Sequence, residues 1–521
     1  MLLAYSCRRI PHRFLSERFL ASHSISFEKI PSMEKPVVPS STTFAAAPAP
    51  KPPARVADPQ KAADFVSFVN QAPSPFHAVD VSRKRLLENG FEPLSESDHW
   101  SLKPNGRYFF TRNQSTIVAF TVGGKYQPGN GMKIVAGHTD SPNLKVKPVS
   151  AVTKAGFLQL GVETYGGGLW YTWFDRDLTI AGRVIVSVSA GASSPPRFDH
   201  RLVHVTRPLM RISSLAIHLD REANEKFAPN KQSHLLPFLS TAIKGQLEKD
   251  SEDARHHPAF LRLLADELKC EPSDIVDFEL SVCDTQPATI GGLCREFIFS
   301  PRIDNLLSCF CILQAFLDTL SSVPNDEYVR VIAMFDHEEC GSDSTQGAGS
   351  TLMVDLLRRL ARCLSEPNPS SPGLSDAFER VCRKSFLISA DCAHACHPNY
   401  ADKHEDRHRP KFHGGPVIKT NSNQRYATNS LTALTIRTLA QRHNIPVQDF
   451  VVRNDMGCGS TIGPILATNC GIRTVDIGNA QLSMHSIREV CAVDDVDYMA
   501  ALLGAFFEEF QEVDRALCTN E

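Results

Sequence analysis

Four ionisable residues stand in a row in this chain: Asp336, His337, Glu338 and Glu339. They follow directly on the apolar stretch 329–335, whose composition predicts a buried strand. Burying adjacent carboxylates is costly in free energy unless a cation or hydrogen-bond donors compensate their charge. The acidic cluster at the end of this strand therefore indicates a bound multivalent metal ion.

Other potential metal ligands occur where strand-like apolar runs end. They are His138 after 134–137, Asp304 after 297–299, Asp391 after 386–390, and His485 after 474–478. Catalytic groups at the carboxyl ends of strands, with helical patterns between the strands, are typical of an open α/β sheet. We therefore predict an α/β fold whose strand ends supply, in chain order, a histidine, an aspartate, two glutamates, an aspartate and a histidine.

Counting charges favours two metal ions over one. Asp304, Glu339 and Asp391 bring about three negative charges, which one divalent ion leaves in excess and which two ions with a shared hydroxide nearly balance. Imidazole and carboxylate ligands without thiolate suit Zn²⁺, with Mn²⁺ or Co²⁺ as substitutes. The residue types therefore predict a dinuclear zinc centre.

Two carboxylates outside the predicted ligand set are placed to assist the reaction. Glu338 stands next to a predicted ligand, where it could take the proton of a metal-bound water as a general base. Residues two apart on an extended segment point the same way, so Asp140 could hold the imidazole of His138. We therefore expect Glu338 and Asp140 to be catalytic residues rather than ligands.

Several longer motifs accompany these residues in one order along the chain. They are GHTDSP at 137–142, VETYGGG at 162–168, WFDRD at 173–177, PRIDN at 301–305, DHEECGS at 336–342, ISAD at 388–391, HPNY at 397–400 and MHS at 484–486. From about residue 60 to the C-terminus, the chain resembles the aspartyl aminopeptidases, the M18 metallopeptidases. The resemblance implies a zinc-aminopeptidase-type three-layer α/β/α catalytic domain with an inserted β-rich dimerisation domain.

The resemblance also implies a site, residue by residue. One zinc ion would be held by His138, Asp304 and Asp391, and a second by Asp304, Glu339 and His485, so that Asp304 bridges the two ions of each subunit. Glu338 would be the general base, and Asp140 would support His138. Substrate contacts are implied at His218, Glu338, His394, Lys419 and Tyr426.

The function implied by the resemblance is a hydrolase of peptide catabolism that releases unblocked N-terminal Asp or Glu from peptides. Lys419 and His394 are the implied groups that would recognise the acidic side chain. A dinuclear zinc amidase or carboxypeptidase with the same ligands is an alternative. A metal-stabilised assembly that binds peptides without cleaving them is another, although the intact Glu338 favours catalysis.

Composition excludes some other classes of function. The chain has 521 residues, of which 42% are hydrophobic, so it can bury a large core and a single small domain is unexpected. A net charge of −3 gives no electrostatic footprint for nucleic acid. No apolar run is long enough to predict a membrane-spanning helix. The 15 cysteines show no paired CxxC spacing, which favours reduced thiols in an intracellular compartment.

The positions of the predicted ligands suggest a division into domains. The expected parts are a leader at 1–57, a first catalytic part at 58–150, an inserted block at 151–288 and a second catalytic part at 289–521. The block reads as an insertion because it lacks ligands, whereas His138 precedes it and Asp304 follows it. The family implies that this block mediates dimerisation, that dimers assemble into a tetrahedral dodecamer, and that His218 reaches a neighbouring subunit's site.

The leader differs in composition from the rest of the chain. It is basic and rich in hydroxyl residues, and it contains the Ala- and Pro-rich stretch 43–53. This composition is typical of a disordered plastid or mitochondrial transit peptide. The alternative is an untargeted disordered tail on a cytoplasmic protein, which initiation at Met33 would bypass.

Overall fold

A computed structural model describes residues 55–188, 197–245, 255–365 and 376–517. The helices of these ranges are α1 Pro59–Gln71, α2 Pro75–Glu88, α3 Ala242–Gly245, α4 Pro258–Leu268, α5 Ile303–Asp318, α6 Leu352–Cys363, α7 Ala377–Lys384, α8 Ser430–Arg442, α9 Ile462–Cys470 and α10 Val493–Leu517. The strands are β1 Glu92–Pro93, β2 Arg107–Arg112, β3 Thr116–Val122, β4 Met132–His138, β5 Asn143–Lys154, β6 Phe157–Tyr165, β7 Leu178–Val188, β8 Arg197–His204, β9 Phe238–Thr241, β10 Ile275–Asp284, β11 Thr289–Gly291, β12 Phe297–Ser300, β13 Val329–Phe335, β14 Phe386–Ala390, β15 Ala393–His394, β16 Val417–Lys419, β17 Gln448–Phe450, β18 Arg473–Gly478, β19 Ala480–Leu482 and β20 Glu489–Ala492. The predicted leader lies outside the described residues, except for 55–57.

The central sheet has nine strands in the order β1-β2-β3-β13-β4-β14-β18-β16-β17. Its middle strands β13, β4, β14 and β18 run parallel to one another. Every residue of β4, β13 and β14 is buried, as expected for apolar strands covered on both faces. In the parallel register Phe335 pairs with His138, so the carboxyl ends of these strands meet at one edge of the sheet.

Helices cover both faces of this sheet. One hydrophobic core contains residues of α1, α2, α5, α8 and α10, and a second core on the other face contains residues of α6, α7 and α9. In α10, Leu502, Leu503, Phe506 and Phe507 are completely buried. The three-layer α/β/α architecture implied by the resemblance is therefore confirmed.

A second sheet has six antiparallel strands in the order β8-β7-β10-β5-β6-β9. It packs around its own hydrophobic cluster, which includes Trp170, Trp173 and Phe260. The sheet begins at Asn143, ahead of the predicted boundary at 151. The second core agrees with a separate β-rich block, whereas the domain boundaries and the role in dimerisation stay predictions.

A third sheet has five strands in the order β11-β12-β20-β19-β15. It contains the strand that leads to Asp304 and the short strands that flank His485. Among the helices of the described ranges, none combines the length and the hydrophobicity that a membrane crossing requires.

Candidate metal centre

The predicted ligands come together at the carboxyl edge of the central sheet. His138 is the last residue of β4, and Asp391 follows the last residue of β14. Glu339 lies in a single helical turn just after β13. Asp304 lies at the start of α5, and His485 lies in the turn between β19 and β20. Parallel strands of the central sheet therefore position His138, Glu339 and Asp391, and short segments next to the third sheet position Asp304 and His485.

His138 faces one group of carboxylates. Its Nε2 atom is 3.5 Å from Oδ1 of Asp304, 3.6 Å from Oδ1 of Asp391 and 3.8 Å from Oε2 of Glu338. Its Nδ1 atom lies 3.1 Å from the main-chain oxygen of Asp140 and 3.4 Å from Oδ1 of the same residue. A proton on Nδ1 can be donated to Asp140, which leaves the Nε2 lone pair free for a metal ion.

His485 faces a second group. Its Nε2 atom is 3.5 Å from Oδ2 of Asp304 and 3.3 Å from Oε2 of Glu339. Its Nδ1 atom is 3.2 Å from the main-chain oxygen of Gly167, which can accept the Nδ1 proton. Asp304 thus presents one carboxylate oxygen to His138 and the other to His485, as a bridging carboxylate would.

These distances fit zinc. A tetrahedral Zn²⁺ with ligands at about 2.0–2.1 Å separates its ligand atoms by about 3.3–3.4 Å, close to the spacings around both imidazoles. Among the described residues, Oδ1 of Asp304 and Oε1 of Glu339 are buried without a hydrogen-bond partner. Buried carboxylate oxygens normally have partners, so these atoms are suited to a bound cation. The residues that are present therefore fit the metal that their types predict.

The shifted pKa values of the cluster also favour a bound cation. Burial raises the pKa of Glu338 to about 8, with repulsion from Asp391 adding to the shift. Burial also raises the pKa of Glu339, and repulsion from Asp304 adds to it. The pKa of His485 is raised to about 9 because Asp304 outweighs the effect of burial. Close carboxylates resist ionising together, and a bound divalent ion would relieve that repulsion.

Asp140 has more partners than the sequence predicts. Besides its contacts with His138, its carboxylate accepts hydrogen bonds from the hydroxyl of Tyr165 at 2.6 Å and from the backbone N–H groups of Glu339 at 3.0 Å and Glu338 at 3.2 Å. Asp140 therefore fixes the turn that carries both glutamates. Sequence reasoning missed the part played by Tyr165, although the residue lies in the VETYGGG motif.

The glycine run 166–168, which follows Tyr165, lies next to two of the candidate ligands. The run forms a bend that brings the backbone close to other residues of the site. Gly166 has φ +73°, and a Cβ atom there would lie 3.1 Å from Cβ of Glu339. Gly167 supplies the carbonyl oxygen next to His485. The run lets the backbone contact two candidate ligands at once.

Replacing Gly166 with Ala should lower kcat/KM by about tenfold or more. The added methyl group is strained at positive φ by about 1–3 kcal/mol and presses on Glu339. Gly156→Ala is the matched control, since Gly156 has φ +79° but an added Cβ meets nothing within 4 Å. Steady-state kinetics should show the loss in the first variant only. Equal losses in both would attribute the effect to backbone strain alone.

Three of the five predicted substrate-binding residues, His394, Lys419 and Tyr426, lie together, whereas Glu338 lies beside His138. The Nζ atom of Lys419 lies 5.0 Å from the centre of the Tyr426 ring, and the rings of Tyr426 and His394 both pack against Phe450. Lys419 is buried, whereas His394 is exposed. His218 lies on an exposed segment, and no contact within the described residues joins it to the other predicted site residues.

An open α/β sheet whose carboxyl edge brings imidazoles and carboxylates together is typical of metal-dependent hydrolases. The model of the family described as Aminopeptidase I zinc metalloprotease (M18) matches residues 68–507. The chain therefore belongs to the M18 family of zinc metalloproteases, and it is an aminopeptidase.

Individual relatives agree with this assignment. The probable aspartyl aminopeptidase of Ricinus communis is 52% identical to the chain, covering 88% of it and 97% of that protein. The aspartyl aminopeptidase of Dictyostelium discoideum is 48% identical to the chain, covering 87% of this chain and 97% of that protein. A solved structure of Ape4 in complex with Nbr1 has a TM-score of 0.85 and 45% identity over 88% of each chain. The mApe1 dodecamer of S. cerevisiae has a TM-score of 0.75 and 27% identity, over 88% of this chain and 98% of that one.

Proposed function

We propose that the protein is a dinuclear zinc aminopeptidase that releases unblocked N-terminal Asp and Glu from peptides. The observation that carries the proposal is Asp304, which faces His138 with one carboxylate oxygen and His485 with the other. The names of the relatives, aspartyl aminopeptidases in both cases, support the acidic preference.

The proposed roles follow from the positions of the side chains. His138, Asp304 and Asp391 would hold one zinc ion, and Asp304, Glu339 and His485 would hold the other. When bound, the two ions supply Lewis-acid chemistry that polarises the scissile carbonyl and lowers the pKa of the attacking water.

Glu338 is the proposed general base. Its Oε2 atom lies 3.8 Å from Nε2 of His138, so it stands at the edge of the ligand cluster. Its carboxylate takes a proton from the attacking water as the new C–O bond forms, and then gives that proton to the leaving nitrogen as the C–N bond breaks. Asp140 keeps Glu338 in place through its hydrogen bond to the backbone N–H.

Acidic substrates need a cation or hydrogen-bond donors near the first side chain. The proposed contacts are Lys419, His394 and Tyr426. Lys419 lies beside the ring of Tyr426, and the rings of Tyr426 and His394 both pack against Phe450. Glu338 would contact the scissile bond. His218 would contact the substrate of a neighbouring subunit, which agrees with its exposure in the single chain.

The proposed assembly is a homododecamer built from dimers. Support comes from the mApe1 dodecamer, with which the chain shares its fold. The second sheet, which has its own core, is the proposed dimerisation block.

Release of Asp from an N-terminal Asp-peptide by the purified protein tests the activity. We expect cleavage that zinc chelation abolishes and that zinc restores, with no cleavage of the N-acetylated peptide. Cleavage of the acetylated peptide would favour an amidase or carboxypeptidase instead. Absence of cleavage of either peptide by folded, zinc-loaded protein would favour a peptide-binding assembly.

The proposed destination of the protein is a plastid or a mitochondrion. This proposal rests on the composition of residues 1–57. A fusion of these residues to a fluorescent reporter tests it. Organelle fluorescence is expected, whereas diffuse cytosolic fluorescence would refute import.

A further inference from the structure

Glu489, the first residue of β20, is a buried carboxylate with two unusual partners. Its Oε1 atom accepts the backbone N–H of His485 at 2.8 Å, and its Oε2 atom accepts the backbone N–H of Asp304 at 3.0 Å. The side chain of Gln481 lies 3.4 Å from Oε1. One carboxylate therefore ties together the backbones of two candidate zinc ligands that are 185 and 4 residues away from it in the chain.

The two tied residues lie on irregular backbone. His485 has φ 66° and follows Ser483 at φ 61°, whereas Asp304 comes two residues after Arg302 at φ 57°. Neither residue is held by a strand ladder, so its position depends on side-chain contacts with its backbone. Glu489 supplies such a contact to both residues. The side chains of the same two residues face each other, with Oδ2 of Asp304 3.5 Å from Nε2 of His485.

Glu489 is held by hydrogen-bond donors rather than by a cationic side chain. It is 2% exposed, and the ion pairs of the described residues do not include it. The neighbouring Arg488 donates instead to the backbone oxygens of Gln286, Pro287 and Phe299. A buried carboxylate is costly unless donors satisfy it, so the backbone N–H groups of Asp304 and His485 are tied to Glu489 as firmly as Glu489 is tied to them.

We propose that Glu489 is a positioning residue for the zinc ion that Asp304, Glu339 and His485 would hold. By fixing the backbones of Asp304 and His485, it sets the spacing of their ligand atoms and makes retention of this ion depend on it. The inference rests on the proposed dinuclear function and extends it to a residue outside the ligand set.

Glu489→Gln is the sharpest test, because the amide keeps the size of the side chain but turns one acceptor oxygen into an N–H donor. That donor must face the N–H of His485 or of Asp304. Zinc content after dialysis against a weak chelator should fall from about two ions to about one per subunit, since removing such support typically costs roughly 10- to 100-fold in metal affinity. Excess zinc should restore kcat with KM unchanged, which a general folding defect would not show.

Asp495→Asn is the matched control. Asp495 is also a buried carboxylate that accepts two backbone N–H groups, those of Gly415 at 2.8 Å and His413 at 3.0 Å, and no described hydrogen bond joins it to a candidate ligand. This variant should keep about two ions even if its stability falls. Loss of one ion in this control as well would overturn the specific role of Glu489.

The measured zinc contents test the role of Glu489 separately from the proposed dinuclear function. Two ions retained at wild-type affinity in Glu489→Gln would overturn the role of Glu489 and leave the dinuclear proposal intact. One ion in the wild type would overturn the dinuclear proposal itself. If the Gln variant does not fold, Glu489→Asp replaces it: the shorter carboxylate cannot reach both N–H groups, so it should also lose one ion, and two retained ions would overturn the inference.

Discussion

Glu338→Gln should lower kcat for an N-terminal Asp-peptide by about 10²- to 10⁴-fold, the range typical of removing a general acid or base. We expect the upper part of this range, because the same carboxylate is proposed to take the proton from water and to deliver it to the leaving amine. The amide has the same shape and can still lie beside His138, but it cannot accept a proton. KM and zinc content should therefore change little.

Zinc content decides what the loss of activity means. Glu338 also lies in a group with His138 and Glu339 whose side-chain atoms could hold an ion. If Glu338→Gln loses an ion together with its activity, Glu338 is a ligand and the proposed base is wrong. Glu88→Gln, at an exposed position on α2, is the control for purification and metal loading. Activity within about tenfold of the wild type in Glu338→Gln would contradict the proposed role of the base directly.

The ends of the central strands could be predicted from the sequence. The run 329–335, apart from Arg330, and the run 134–137 before His138 are apolar, which is typical of parallel strands covered on both faces. Because the two strands are adjacent and parallel, His138 and the glutamates after Phe335 had to meet. The α/β fold and the convergence of the candidate ligands followed from that pattern.

Other parts of the site left no periodic signal. Glu489 contacts Asp304 from 185 residues away, and Gly167 contacts His485 from 318 residues away. These contacts depend on how three sheets pack together, and a glutamate after an arginine looks like an exposed pair in the sequence. His485 was predicted to follow the strand that ends at Gly478, but the short strand β19 intervenes and a turn presents the imidazole.

The burial of Lys419 could not be predicted from the sequence either, because its strand has only three residues and shows no clear pattern. The side chain is 2% exposed, and its Nζ atom lies 3.4 Å from Oδ2 of Asp391 and donates to the backbone oxygen of Cys392 at 3.1 Å. Burial lowers the pKa of Lys419, but Asp391 and then Asp476 outweigh that effect, so the net shift is upward and the ammonium stays charged. Lys419 can therefore orient a candidate ligand as well as attract an acidic substrate.

Lys419→Met separates these two roles, since methionine keeps most of the side-chain volume and removes the charge. A lost orientation of Asp391 should lower kcat/KM equally for peptides with N-terminal Asp and N-terminal Ala. A lost contact with the substrate should add a further penalty for Asp alone, of about 1.5–3 kcal/mol, or about 10- to 150-fold. We expect both losses, measured as kcat/KM on the two peptides, with the exposed Lys103→Met as control.

The ratio of the two losses is what tests specificity. Nothing about the orientation of Asp391 depends on the substrate's first side chain, so that part cancels when the two peptides are compared. A larger loss for the Asp-peptide can then arise only from the charge of Lys419 acting on the acidic group. If both peptides lose the same factor, Lys419 serves the metal centre alone, and the recognition of acidic substrates must rest on His394, Tyr426 or a residue from another subunit.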